Sequence, residues 1–343
     1  MTKKKKFISE LRHGDIIDEF FILTKARQGT SKNGPYWDLE LQDRTGKIPG
    51  KIWYPVSKQY PSIQEESFVK IQGQVDSFRD NLQIIVNKLS LLDQQEISWS
   101  DFLPSTTTPP EVLLKELEDL CFKNLKYKPW KKFCGLILRD ENLREKFISA
   151  PAAKNIHHAY RGGLLEHTLN VCKICLKIAD LYPDLDREIL VVGALLHDIG
   201  KIEEFSGDIS PDYTDKGHLL GHIVLGINII ETFLKKVTDL DQGLILHLKH
   251  IIISHHGEYE FGSPKRPKTK EAMVLHFADN LDSKMNLMNS MIQEINQDED
   301  SWTKYQRALG RRIFNPPHTQ EFIQDKEKQK KRSIKECLLP LKG

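Results

Sequence analysis

The chain has 343 residues, 39% of them hydrophobic and 29% charged, with a formal net charge of +2. That balance is the one of a globular, soluble protein with room for two domains; it excludes a disordered or collagen-like chain, and it does not announce a nucleic-acid binder, so any basic surface must be local. Five cysteines at irregular spacing exclude a disulfide framework; with no 18-residue apolar run and no signal-peptide apolar stretch after the basic residues 1–6, a reducing, cytoplasmic setting is expected.

Residues 14–92 read as short strands. Residues 16–24 are rich in Ile, Phe and Leu. In 36–41, Trp37, Leu39 and Leu41 alternate with Tyr36, Asp38 and Glu40, which predicts a strand with one buried face. Asp43-Arg44-Thr45-Gly46 is a turn signal, and 47–54 is the strand that returns from it. Residues 68–75 and 82–86 form a second hairpin pattern across Arg79-Asp80-Asn81. Four or five short strands in about 80 residues predict a small closed β-barrel. The run Tyr36-Trp37-Asp38-Leu39-Glu40-Leu41-Gln42-Asp43-Arg44-Thr45-Gly46-Lys47-Ile48 resembles the OB-fold nucleic-acid-binding modules. The resemblance implies a barrel that takes single strands on stacked aromatics and a basic groove, with Tyr36, Lys51, Trp53, Phe78 and Arg79 as candidates. Taken singly, Trp53 and Phe78 also fit packing at the barrel edge.

Pro104-Ser105-Thr106-Thr107-Thr108-Pro109-Pro110 has no apolar period, and its prolines stop helices, so a linker is expected here. Over 111–148, Val112, Leu113, Leu117, Leu120 and Leu125 keep a helical rhythm that Trp130, Phe133, Leu136 and Ile137 continue. Cys172 and Cys175 form a C-x-x-C, but inside an apolar helical pattern and without a second pair, so they are expected in the core.

The chemistry-bearing residues come next. Ala194-Leu195-Leu196-His197-Asp198-Ile199-Gly200-Lys201 places an imidazole beside a carboxylate at the end of an unbroken apolar run, 189–196. The run predicts a buried helix ended near Gly200. A carboxylate and a histidine at such a place are costly unless compensated, and a divalent metal would compensate them. The dipeptide alone equally fits a surface pair at a helix end. More candidates sit in apolar, helix-like segments: His167, His222, His255, His256 and Asp279. Each alone is more often a satisfied core residue; five such segments in succession are hard to explain as accidents.

The order His, His-Asp, His, His-His, Asp resembles the HD-domain metal-dependent phosphohydrolases over roughly residues 150–315. This resemblance implies an all-helical domain with its metal site in the middle of the bundle. It implies one ion held by His167, His197, Asp198 and Asp279, and a second held by His222, His255 and His256, with Asp198 bridging. Manganese is favoured by the resemblance; the mixed imidazole and carboxylate set itself suits Mn, Fe, Co, Ni or Zn.

Around these ligands stand the candidates for substrate. Lys265 and Arg266, between Pro264 and Pro267, lie on a stiff loop and read as a phosphate clamp or as an exposed basic turn. His157, His158 and Arg161, in a Gly-ended loop before His167, read as site-lining or as ordinary loop residues. Lys201, one turn beyond Asp198, reads as a charge for the phosphate or leaving group, or as a helix-end lysine in solvent. The run from Ser254-His255-His256-Gly257 to Lys284-Met285-Asn286, with the OB-like part in front, resembles the bacterial YhaM-type 3′→5′ exoribonucleases over about residues 14–315. That implies hydrolysis of single-stranded RNA, or single-stranded DNA, by two metals; Asp198 and Lys201 are the candidate catalytic residues, and no membrane is expected. A phosphodiesterase or phosphatase for a small nucleotide or cyclic dinucleotide, with a regulatory barrel, is the alternative reading. A nucleic-acid binder with a scaffold of helices is the third. A homo-oligomer is compatible with the sequence. The expected fold is multidomain, α plus β: an OB-fold barrel in 1–95, a linker in 96–110, a helical HD domain in 111–318, and a charged tail in 319–343 whose stretch 320–335 reads as a solvated helix.

Overall fold

The computed structural model describes residues 4–79, 81–92, 101–103, 106, 108–152, 160–206, 212–293 and 301–317. Two compact units are present, 1–283 and 284–343.

The first unit begins with a barrel of five strands: β1 (Ile16–Ser31), β2 (Gly34–Asp43), β3 (Gly46–Ile52), β4 (Ser67–Phe78) and β5 (Asn81–Leu91). They close in the order β1-β2-β3-β5-β4, antiparallel except for the β3–β5 pair. The alternation read from 36–41 is real: Trp37, Leu39 and Leu41 face inward onto Phe21, Ile52, Ile71 and Ile84. β1 runs seven residues past the expected end. Its extension, from Lys25 to Ser31, pairs with β2 from Glu40 back to Gly34 but buries no side chain fully. A strand that buries no face leaves no apolar alternation to read. The turn at Asp43 is built as expected, with Asp43 Oδ1 accepting from the Thr45 backbone N–H (2.8 Å) and hydroxyl (2.6 Å). The other Asp43 oxygen faces the buried Lys4, whose ammonium also donates to the Phe20 carbonyl and lies 3.5 Å from the Phe21 ring centre. One basic N-terminal residue is therefore part of the barrel. Phe102 and Leu103 also pack on it, against Ile22 and Phe68.

Helices follow: α1 (Pro110–Asn124), α2 (Lys128–Leu138), α3 (Glu141–Ser149), α4 (Gly163–Leu181), α5 (Arg187–Leu196), α6 (Lys201–Glu204), α7 (Asp215–Leu234), α8 (Gln242–Ser254) and α9 (Lys270–Gln293). A two-residue hairpin pair, β6 (Phe205–Ser206) with β7 (Asp212–Tyr213), precedes α7. The rhythm read over 111–148 resolves into α1, α2 and α3. Pro129 starts α2, and Asp140 caps α3 by accepting from the Leu143 N–H (3.0 Å). α5 is the axis of the bundle: every residue from Ile189 to Leu196 is buried. Cys172 and Cys175 are free and buried, as expected, and burial pushes the Cys175 thiol up to about 12. Among the described helices α7 alone is long and apolar enough to cross a membrane. Its Ile229, Ile230 and Phe233 are packed in the bundle core.

In the second unit, 301–317 fold back on themselves. The Thr303 N–H donates to the Ile313 carbonyl (2.9 Å), and the Trp302 and Phe314 rings lie 5.0 Å apart. The charged stretch 320–335 lies outside the described residues.

Candidate active site

The polar residues singled out on separate helices meet at one point in the bundle. His197 closes α5 and Asp198 follows it in the turn to α6. Two glycines let α7 reach them. A Cβ on Gly200 would stand 1.9 Å from the His222 carbonyl oxygen, so only glycine allows this approach. Gly221, at φ 70, breaks α7 just before His222. After the break, the His222 backbone N–H and its ring Nδ1 both meet Glu204 Oε1, at 3.0 and 3.2 Å.

The histidines share one device. Each Nδ1 is tied to an acceptor: His167 to Asp282 Oδ2 (2.7 Å), His197 to the Ala194 carbonyl (2.9 Å), His222 to Glu204, His255 to the Ile252 carbonyl (2.7 Å), and His256 to the Phe261 carbonyl (2.8 Å). A ring that donates through Nδ1 presents the lone pair of Nε2. Two donor groups result. His167, His197 and Asp279 place one ligand atom each within 4.8 Å of one another, and so do His222, His255 and His256. Asp198 lies between them. Its Oδ2 is 3.5 Å from His167 Nε2 and 3.4 Å from His197 Nε2, while its Oδ1 is 3.4 Å from His222 Nε2 and 3.6 Å from His255 Nε2.

Electrostatics decide what this arrangement needs. Asp198 Oδ1, His222 Nε2 and His255 Nε2 are buried and lack a hydrogen-bond partner among the described residues. Three acceptors facing one another in a buried site are unfavourable until a cation joins them. Burial pushes the Asp198 carboxyl up, but Lys201 and His197 outweigh it and hold the group ionised, well below the usual range. Burial likewise opposes ionisation of Asp279, and the His167 contact outweighs it. Burial lowers His255, and it lowers His256 to about 4 with help from His255, so both rings are neutral and ready to ligate. His167 differs: burial pulls it down, but the Asp279 and Asp282 carboxylates raise it to about 9. The donor set fits divalent ions in two adjacent places.

The other expected residues are placed as follows. Lys201 is largely buried, with 11% of its side chain exposed, and pairs with Asp198 Oδ2 at 2.7 Å. Its partner is thus a candidate ligand, and it is not a helix-end lysine in solvent. Arg266 is drawn to Glu258 (2.7 Å) and lies over the Tyr259 ring (5.1 Å), while Lys265 is exposed and gives its carbonyl to the Ser263 hydroxyl (2.7 Å). Arg161 precedes Gly162, whose φ of 77 opens α4. His157 and His158 lie outside the described residues. On the barrel, Tyr36 and Trp53 are neighbours, with ring centres 5.0 Å apart, and Lys51 Nζ is 5.1 Å from the Tyr36 centre and 2.9 Å from Asp38 Oδ1. A groove of 350 Å³ beside them is lined by Lys25, Arg27, Asp38, Glu40 and Lys47, among others. Phe78 and Arg79 sit at the tip of the β4–β5 hairpin, side by side at 5.2 Å.

Three residues of the site were not read from the sequence. Asp282 and Glu204 orient His167 and His222, and His276 donates through Nδ1 to the His255 carbonyl (2.8 Å). Asp282 had a signal: it stands three positions after Asp279 on one helix, hence on the same face. His276 had the same signal, three positions before Asp279; Glu204 had none, because only the packing of α6 on α7 brings it in.

Residues 164–284 match the HD domain family, and residues 22–92 match a family of OB-fold nucleic acid binding domains. The 3′-5′ exoribonuclease YhaM of Bacillus subtilis (strain 168) is 35% identical over 311 residues, 89% of this chain and 96% of that protein. Among solved structures, the second OB-fold domain of replication protein A from Methanococcus maripaludis aligns with 26% of this chain and 95% of its own length, at 21% identity and a TM-score of 0.23. The OB domain of MM0293 from Methanosarcina mazei aligns with 27% and 88%, at 18% identity and a TM-score of 0.24.

Proposed function

The chain belongs to the YhaM family of 3′-5′ exoribonucleases, with an OB-fold and an HD domain, and we propose that it hydrolyses the phosphodiester bonds of single-stranded RNA from the 3′ end. Single-stranded DNA is the second substrate of the proposal. The observation that carries it is Asp198, a buried carboxylate whose two oxygens each face two imidazole Nε2 atoms. His167, His197, Asp198 and Asp279 would hold one divalent ion, and Asp198, His222, His255 and His256 the other; manganese is the ion proposed. Such ions lower the pKa of a water and offset charge on a phosphate.

The remaining work falls to the chain's own side chains. Asp282 and Glu204 fix the rotation of the His167 and His222 rings, so that each Nε2 stays aimed inward. Lys201 holds Asp198 in the orientation that splits its oxygens between the two histidine sets, and it brings a largely buried positive charge next to the place of reaction. Water attacks phosphorus, the bond to the 3′ oxygen of the preceding nucleotide breaks, and that oxygen takes a proton. Lys265 and Arg266 contact the substrate phosphate in this reading, after Arg266 leaves Glu258. The barrel offers Tyr36 and Trp53 as a stacking platform, with Lys51 at its edge. The test is metal dependence. Chelation should abolish hydrolysis of RNA and of a bis-p-nitrophenyl ester together, and added manganese should restore both. Hydrolysis that persists in the fully chelated protein would contradict the proposal.

A further inference from the structure

The bundle carries a second cationic surface, apart from the donor cluster. A groove of 590 Å³ is lined by Lys128, Lys131, Lys132, Arg139 and Lys236. Its floor includes Phe122, Gly135 and Phe233. Among the described residues none of these five cations forms an ion pair, whereas Lys25, Lys47, Lys51 and Lys70 on the barrel each have a carboxylate within 4 Å. The one carboxylate in the groove lining, Asp140, spends Oδ1 on the N-terminus of α3. A concentration of unpaired positive charge in a chain of net charge +2 is an anion-binding feature that bulk composition hides.

The layout is linear. Lys128 and Lys132 on α2, with Arg139 at its C-cap, stand at i, i+4 and i+11, a stripe about 16 Å long at a rise of about 1.5 Å per residue. Arg139 lies 5.8 Å from the Phe122 ring centre and Lys236 4.7 Å from that of Phe233, so each charge is carried at the rim by an aromatic floor. A methyl on Gly135 would meet Phe122 at 3.7 Å, an ordinary contact. Packing therefore does not require glycine in this helix interior, where it is a poor helix former. What glycine adds is room for a close approach. Lys236 follows α7, and His222 begins the regular part of the same helix fourteen residues earlier, about 21 Å away along its axis.

We propose that this groove binds the phosphodiester backbone of the RNA strand upstream of the 3′ end held at the donor cluster. The inference rests on the exoribonuclease reading. A phosphate chain fits better than a folded partner: its charge repeats along one line, and it needs no shaped pocket.

The test uses the full-length, metal-loaded protein. K131Q/K132Q/K236Q, at three exposed positions, is compared with wild type and with the charge-keeping K131R/K132R/K236R. Substrates are bis-p-nitrophenyl phosphate and an unstructured RNA of about 30 nucleotides, the latter across a salt series. Ester turnover and metal content should match wild type in both variants. On the RNA the Gln variant should show a KM raised by about 10-fold or more, with the slope of log affinity on log salt shallower by about 2, three contacts at about 0.7 each. The Arg variant should behave as wild type. An unchanged KM and salt slope in the Gln variant would overturn the proposal and leave an acidic protein as the occupant to seek. Wild type that turns over the ester but neither binds nor cleaves the RNA would instead overturn the substrate reading beneath it.

Discussion

His222 Nε2 lies 3.4 Å from Asp198 Oδ1, and neither atom has a hydrogen-bond partner among the described residues. Two buried acceptors in that relation make a place that a cation would fit. Asp198→Ala removes the carboxylate common to both donor groups. We expect the variant to lose bound metal and to lose activity by about 10³-fold or more. Metal analysis with circular dichroism checks this: a folded variant with both ions and full turnover would remove Asp198 from the bridging role.

The residues that orient the ligands should matter at one remove. Asp282→Asn and Glu204→Gln keep the shapes but weaken the acceptors behind His167 and His222. Loss of such a partner costs about 10–100-fold in metal affinity. Excess manganese should then restore most of kcat in either variant, as it cannot for Asp198→Ala. Variants that titrate with metal like wild type would show that these carboxylates only support packing.

The metal-free protein should respond to pH through His167. Its pKa of about 9 in the fold exceeds its ordinary value of 6.5. The proton therefore stabilises the metal-free fold fully below about pH 6.5, and that contribution is lost as pH rises through 9. A metal must displace the same proton, so apparent affinity should rise by about tenfold per pH unit between 7 and 9. Calorimetry in two buffers of different ionisation enthalpy would register the released proton. A binding constant flat from pH 7 to 9 would contradict the protonated His167.

On the barrel, Tyr36→Ala and Trp53→Ala remove the two adjacent rings. Each stacked base contributes about 1–3 kcal/mol, so the Kd for single-stranded RNA should rise by about 5–150-fold, while turnover of the small ester stays at the wild-type level. A loss of ester turnover in step with RNA binding would mean that the rings support the barrel's structure.

Much of this is legible in the sequence alone. The alternation at Trp37, Leu39 and Leu41 was written in side chains, as was the apolar run ending at His197, because burial on one face or all round dictates those patterns. The candidate ligands were legible for the same reason, as polar residues in segments otherwise apolar. What was illegible depended on long-range packing or on the backbone. The second half of β1 buries no face. The breaks between α1, α2 and α3 follow from Pro129 and the Asp140 cap, which a continuing apolar rhythm obscured. Glu204 reaches His222 only because Gly200 lets two helices touch. The pairing of Arg266 with Glu258 is a surface choice that spacing does not encode.

The most direct measurement is the product ladder from a 5′-labelled single-stranded RNA, with a matching DNA and a cyclic dinucleotide run in parallel in manganese. The account predicts labelled strands that shorten one nucleotide at a time from the 3′ end, and no such ladder from Asp198→Ala. Release of the label as a mononucleotide at the first time points would contradict it. So would intact RNA beside a hydrolysed cyclic dinucleotide.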